Sequence, residues 1–391
     1  MQLNINKEEI DNYVVELRRY FHRHPELSHK EFKTSEKIQE ELSRLGVSFT
    51  HCGKGPGIKA VIKGEKPGKT FMLRADMDAL PVQELNEIDY KSENEGVSHA
   101  CGHDCHIAVL LGAAKILSQQ TKSLCGTVVL CFQPAEETVN GAQEMIDGGI
   151  LEGVDACFGL HVWSEVPAGK VSVPPGPRMA SDDLFHITVK GKGGHGAMPE
   201  TAVDALFVGC KIATDLQSII SREISPKDTA VITCGTFQAG TGANVIAETA
   251  KISGTVRTFN PSVRKSMEER IRRITSSIAE AHKATAEIEY SYEVGPLVNS
   301  PKISSVAERS AIETFGKDAL FDYAGTMCSE DFAVYLEHVP GAFAFVGINN
   351  NACDACWPQH SGHYQVDENV LGKSSIFMAR TALNYLSEDR T

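Results

Sequence analysis

Apolar residues recur with a helical period at the start of the chain. In KEEIDNYVVELRRYFHRHPEL, Ile10, Val14, Leu17 and Phe21 fall on one face, and Pro25 ends the segment. EFKTSEKIQEELSRLG repeats the pattern and closes on Gly46 as a C-cap. GIKAVIKG and KTFMLRADM then read as strands and DCHIAVLLGAAKILSQQ as a strongly apolar helix. CGTVVLCFQPAEE reads as a buried strand running into a proline-broken loop. Strands alternating with helices predict an α/β sheet.

From about residue 182 to 294 the rhythm changes. DLFHITVKG is an alternating strand, TAVDALFVGCKIATDLQSIISRE a long helix, and TAVITCGTFQAG and AETAKISGTVRTF two further strands. PSVRKSMEERIRRITSSIAEAHKA is a helix with Pro261 in its first turn, and TAEIEYSYEV a last strand. The order β-α-β-β-α-β is that of a ferredoxin-like α+β unit. From SPKISSVAERSAIETFG onward the earlier style returns. The expected organisation is an α/β body over residues 1–181 and 295–391, interrupted by an inserted domain over 182–294.

Composition changes this picture little. The 391-residue length suits two domains, and 42% hydrophobic with 23% charged residues is ordinary for a globular chain. A net charge of −13 without a basic run argues against nucleic acid or an anionic membrane as partner. The N-terminal stretch has no apolar targeting region, and no run reaches membrane-span length. Eleven cysteines, an odd and scattered set, suit free thiols in a reducing compartment. The expected location is cytoplasmic.

HACGHDCH, residues 99–106, crowds two cysteines and three histidines into one block. FQPAEE offers the adjacent carboxylates Glu136 and Glu137, GLHVW places His161 at the end of an apolar run, and QHSGHY supplies His360 and His363. RADMD puts Asp76 and Asp78 two apart at a strand end, on one side of the pleat. A hydrolase activated by two metals needs several ligands, one able to bridge, and a carboxylate left free to take a proton from water. If Glu137 is a ligand, Glu136 remains as the base, with a pKa set apart by its environment. Each signal has a plainer reading when taken singly: EE as a solvated turn, His161 as a bonded core histidine, DMD as a turn or helix cap. HACGHDCH alone is how a structural zinc site begins, yet no second ligand pair follows within about twenty residues. Cys101 and Cys105 also lack the Cys-x-x-Cys spacing of a redox pair.

Taken in order, RADMDALP, HACGHDCHIAVLLGAA, FQPAEE, GLHVW, GKGGHGAMPE, GANVI, GTVRTF and SEDFA resemble the M20 family of metallopeptidases. They are most similar to its amidohydrolase subfamily of hippurate, N-acyl-amino-acid and indoleacetyl-amino-acid hydrolases. The resemblance implies an α/β catalytic domain with a mixed sheet and a dinuclear metal site, interrupted by a smaller dimerisation domain. It implies Cys101 as bridging ligand and His103, Glu137, His161 and His360 as the other ligands. Glu136 matches the general base and Asp78 a carboxylate that orients a ligand. His195 matches a residue that reaches into the partner subunit's site, and Asn244 and Arg257 match substrate-binding positions. His360 is preferred over His363 on its spacing to Tyr364. Cys353 and Cys356, in NNNACDACWPQHSGHY, lie outside the family pattern and read as two surface thiols or as a redox latch or metal clip.

The expectation is a cytoplasmic, homodimeric amidohydrolase that cleaves N-acyl amino acids with two divalent ions per subunit. Zn, Co and Ni suit the thiolate and imidazole ligands, and the carboxylates keep Mn open. A dipeptidase or carboxypeptidase-like enzyme is the rival within the class. Outside it stand a non-catalytic metal-binding protein, which would be free to lose Glu136, and a thiol redox protein, which would need neither Glu136, His161 nor His195.

Overall fold

A computed structural model describes residues 5–387 of the chain. Residues 1–4 and 388–391, counted above with the α/β body, lie outside the described residues, as does the start of the stretch read for a targeting signal. The described chain forms two compact units. One holds the chain up to Gly176 with Val298–Ala324 and Asp331 onward, and the other holds Pro177–Leu297 with Gly325–Glu330.

The first unit opens with helix α1 (Lys7–Arg23), whose Asn6 side chain caps the N-terminus by accepting from Glu9 N. Ile10, Val14, Leu17 and Phe21 are all buried, as their spacing requires. Helix α2 (Phe32–Arg44) ends before Gly46, which takes a left-handed φ of 68°. Five strands and a helix follow: β1 (Ser48–His51), β2 (Ile58–Lys63), β3 (Lys66–Asp76), α3 (His103–Ser118), β4 (Cys125–Gln133) and β5 (Ala156–Pro167).

These strands belong to a seven-stranded sheet of order β1-β2-β4-β3-β5, then Gly341–Asn349, then Val171–Ser172. The sheet is mixed. β4, β3, β5 and Gly341–Asn349 run parallel, while β2 pairs antiparallel with β4 and Val171–Ser172 antiparallel with Gly341–Asn349. Central parallel strands are covered on both faces, so they read as unbroken apolar runs. The last six residues of β3 and the first nine of β5 are all buried accordingly. Helix α3 is buried from His103 to Leu117 except Lys115, and α1, α3 and the C-terminal helix Leu371–Ser387 share one core with the sheet. The carboxyl ends of β3 and β4 deliver Asp76 and the loop to Glu136 and Glu137, and His161 stands in β5 just past the end of its pairing with β3; it is outside such strand ends that open α/β sheets bind ligands.

The second unit is a four-stranded antiparallel sheet in the order Ala230–Ala239, Thr249–Thr258, Asp182–Lys190, Thr285–Val294. Helices Ala205–Ser218 and Pro261–Ala281 pack on it through their own core. The sequence pattern starts the first of these helices at Thr201. It begins instead after Asp204, whose side chain accepts from the N–H groups of Leu206 and Phe207. Its last turn, Ile219–Glu223, widens to a π-turn. Among the described residues no helix is long and apolar enough to cross a membrane.

Candidate metal centre

The turn into α3 sets the first part of the site. Gly102 adopts φ 88° as the residue before the helix, so Cys101 and His103 flank a left-handed turn and face the same space. Cys101 Sγ lies 3.4 Å from His161 Nε2, and the donor atoms of Cys101, His103 and His161 all lie within 4.8 Å of one another.

Asp78 organises the second part. Its Oδ1 receives His103 Nδ1 at 3.2 Å and the backbone N–H of Glu136 at 3.2 Å. Its Oδ2 receives the N–H of Glu137 at 3.0 Å and Ser28 Oγ at 2.7 Å. One carboxylate thus holds the ring of His103 and presents Glu136 and Glu137 side by side, each 4.0 Å from His103 Nε2. Ala135 and Val139, which flank this turn, have φ of 58° and 60°, a costly conformation for a β-branched valine. His360, at φ 66°, donates its N–H to Ala100 O at 2.8 Å, and its Nε2 lies 3.5 Å from Glu137 Oε1. Cys101, Glu137 and His360 form a further group with donor atoms within 4.8 Å.

The electrostatics follow from burial and crowding. Burial, then the charges of Glu137 and Glu136, push the Cys101 thiol far up. Burial, opposed by His103 but aided by Asp78, raises Glu137 to about 7. Burial pulls His103 down, but Asp76 and Asp78 outweigh it and carry the ring to about 10. His161 is driven well below the usual imidazole range by burial and then by the neighbouring rings of His106 and His103. Burial, with His103 second, also lowers His360.

His103 Nε2 and Glu137 Oε1 are buried with no hydrogen-bond partner among the described residues. Bare buried polar atoms are costly, and a divalent cation would satisfy both while relieving the repulsion that raises Cys101 and Glu137. The donor set of thiol, imidazole and carboxylate therefore fits such an ion.

Not every expected residue lies in this cluster. His363 packs against the ring of Trp357, centroids 4.9 Å apart, rather than joining the ligand groups. Cys353 and Cys356 are exposed and unpaired. His195, Asn244 and Arg257 belong to the second unit. His195 pairs with Val245 across a short two-stranded ladder, and the neighbouring Gly196 N–H donates to Asn244 O at 2.8 Å. His195 Nδ1 accepts from Ala197 N at 3.0 Å, so its exposed ring carries the proton on Nε2. Arg257 reaches Asp182 Oδ2 at 2.9 Å and Met327 O and Ser329 Oγ at 3.3 Å. Sequence reasoning passes over His106, which bonds to Asp76 and to the Val162 backbone. Its only signal is its place in the crowded 99–106 block.

The chain is similar to known proteins along most of its length. The family model described as peptidase family M20/M25/M40 matches residues 72–384. The chain is 38% identical to thermostable carboxypeptidase 2 of Saccharolobus solfataricus over 98% of both chains. It is 42% identical to an N-acyl-L-amino acid amidohydrolase of Geobacillus stearothermophilus, over 75% of this chain and 79% of that one. Among solved structures it resembles the Bacillus subtilis YXEP protein, described as a dinuclear metal binding peptidase from the M20 family. The TM-score is 0.87 at 34% identity, covering 97% of this chain and 99% of that one.

Proposed function

Because the chain belongs to peptidase family M20/M25/M40, and so to the hydrolases of amide bonds, we propose that it removes the acyl group from N-acyl amino acids. The observation that carries this reading is the Asp78 clamp, which sets two carboxylates of different environment against one imidazole. Cys101, His103, Glu137, His161 and His360 would hold two divalent ions, with Zn, Co, Ni or Mn as candidates. When bound, such ions supply Lewis acidity and acidify water.

Glu136 is the base in this scheme. Its carboxylate takes the proton of the attacking water and returns it to the departing amine nitrogen, a role worth roughly 10²–10⁴ in rate. His195, with its Nε2–H exposed, stabilises the oxyanion of the neighbouring subunit's substrate in a homodimer, and such donors contribute roughly 10²–10³. Asn244 and Arg257 complete the substrate site, the guanidinium fork being suited to the free carboxylate. Eleven free cysteines support a cytoplasmic location.

A carboxypeptidase reading is supported by the Saccharolobus relative, named a thermostable carboxypeptidase. A hydrolysis screen of the zinc- and manganese-loaded protein separates the two. N-acetyl, N-benzoyl and indoleacetyl amino acids are expected to turn over faster than simple dipeptides. Cleavage of dipeptides alone would overturn the proposal in favour of the carboxypeptidase, and cleavage of neither would overturn both.

A further inference from the structure

The sheet leaves the N–H and C=O of Val162, near the site, to bond to side chains. Pairing between β3 and β5 stops at Arg74 and Gly159, whereas β5 continues beside Gly341–Asn349 past His161. The N–H of Val162 donates instead to His106 Nε2 at 3.0 Å. That nitrogen therefore carries a lone pair, and the proton sits on Nδ1, which donates to Asp76 Oδ1 at 2.5 Å. Asp76 is itself held by Arg74 Nη1 at 2.5 Å.

The carbonyl of the same Val162 receives His161 Nδ1 at 2.7 Å and Gln359 Nε2 at 3.2 Å. His161 is thereby left with a lone pair on Nε2, the atom that faces Cys101 Sγ. We infer that His106 is a positioning residue: through the Val162 backbone it fixes the tautomer and ring orientation with which His161 meets a divalent cation. The inference rests on the metal centre proposed above.

Two alternatives frame the test. Donor atoms of His106, His103 and Asp76 lie within 4.8 Å of one another, which suggests a ligand role for His106. An imidazole with both nitrogens already engaged has no lone pair to give. His106 also packs edge-on to His161 at 4.5 Å and stacks with His103 at 5.4 Å, so it could serve only to fill space.

His106→Phe keeps a ring of similar size and removes both hydrogen bonds. His106→Gln removes the ring but offers an amide N–H to donate and a carbonyl oxygen to accept. In metal-free, 15N-histidine-labelled protein, wild type is expected to show His161 as a single Nδ1–H tautomer, His106→Phe a mixture, and His106→Gln a return toward the single form. Zinc affinity, measured by chelator competition, is expected to fall roughly 10–100-fold in the Phe variant and to recover largely in the Gln variant. A Phe variant with one His161 tautomer and wild-type zinc affinity would overturn the inference, as would a Gln variant no better than Phe. Should the Phe variant not fold, His106→Met, which also removes both hydrogen bonds, takes its place: a mixed His161 population supports the relay and a single tautomer with wild-type zinc affinity refutes it. Wild-type protein that binds no zinc would refute the metal centre instead, and the tautomer spectra would still judge His106.

Discussion

Replacing Gly102 by alanine tests whether the turn between Cys101 and His103 is held by backbone geometry and close packing together. At φ 88° an added Cβ meets the usual left-handed penalty, roughly 1–2 kcal/mol, partly offset by about 0.4–1 kcal/mol from a less flexible unfolded chain. That Cβ would also lie 2.5 Å from Val162 Cγ2 and 2.8 Å from Tyr364 Oη, distances that force the neighbours to move. Overpacking of a tight core costs roughly 1–3 kcal/mol more, giving a loss of about 2–4 kcal/mol in all. Gly46 supplies the control: its φ is 68°, yet a Cβ added there would meet nothing within 4 Å, so Gly46→Ala should cost only about 1 kcal/mol. Urea denaturation of the two variants reads the difference. Chelator competition with zinc reads its local consequence, because a turn pushed back from Val162 and Tyr364 would carry Cys101 and His103 away from His161. Equal destabilisation of the two variants, or unchanged zinc affinity in Gly102→Ala, would refute the argument that this turn sets the site.

Glu136→Gln should lower turnover by roughly 10²–10⁴ while zinc content and melting temperature stay at wild-type values, and loss of the metal with the activity would make Glu136 a ligand. His195→Ala and Glu136→Gln subunits, each nearly inactive alone, should recover about half of wild-type activity per heterodimer once exchanged; mass-verified heterodimers without activity would end the shared-site scheme. Burial, then the charge of Asp78, raises Glu31 from 4.5 to about 8, so the folded state holds a proton there that the unfolded chain has lost. The stability this contributes is full below pH ~4.5 and is lost as pH rises toward ~8, at no more than roughly 1.4 kcal/mol per pH unit. Glu31→Gln should flatten that slope in urea titrations between these pH values, and an unchanged slope would exclude Glu31 as its source. In the second unit Arg264 forks onto the buried Asp183 at 2.9 and 2.7 Å. Among the described residues, Arg264→Ala leaves that carboxylate its Tyr290 bond alone and should cost roughly 3–5 kcal/mol; calorimetry showing under about 1 kcal/mol would refute it.

The parts of this molecule that follow from local rules were readable in the chain. Ile10, Val14, Leu17 and Phe21 mark their helix because burial acts at a helical period, and the runs in β3 to β5 mark parallel strands because both faces are covered. The adjacent carboxylates at 136 and 137 were visible as a pair. Hidden was the reason they stand together, since Asp78 gathers them across more than fifty residues of sequence. His106 was hidden for the same reason: its partners are a strand-end carboxylate and a backbone amide exposed only where two strands part. The left-handed turns at Ala135 and Val139 carry no sequence signature, because neither alanine nor a β-branched valine favours them. They are imposed by what surrounds them.

The sheet order has a consequence for synthesis on the ribosome. β5 emerges with β3 available on one side, but its other neighbour, Gly341–Asn349, is made only after the whole second unit. Until then β5 presents an open, apolar edge, the kind of surface on which chains associate with one another. The four-stranded unit has its own core and contiguous strands, so it can close while the body waits. Nascent chains arrested before residue 341 should accordingly resist protease over residues 177–297 and be cut within β5. The strand that completes the sheet is therefore also the last check on whether a newly made molecule remains monodisperse.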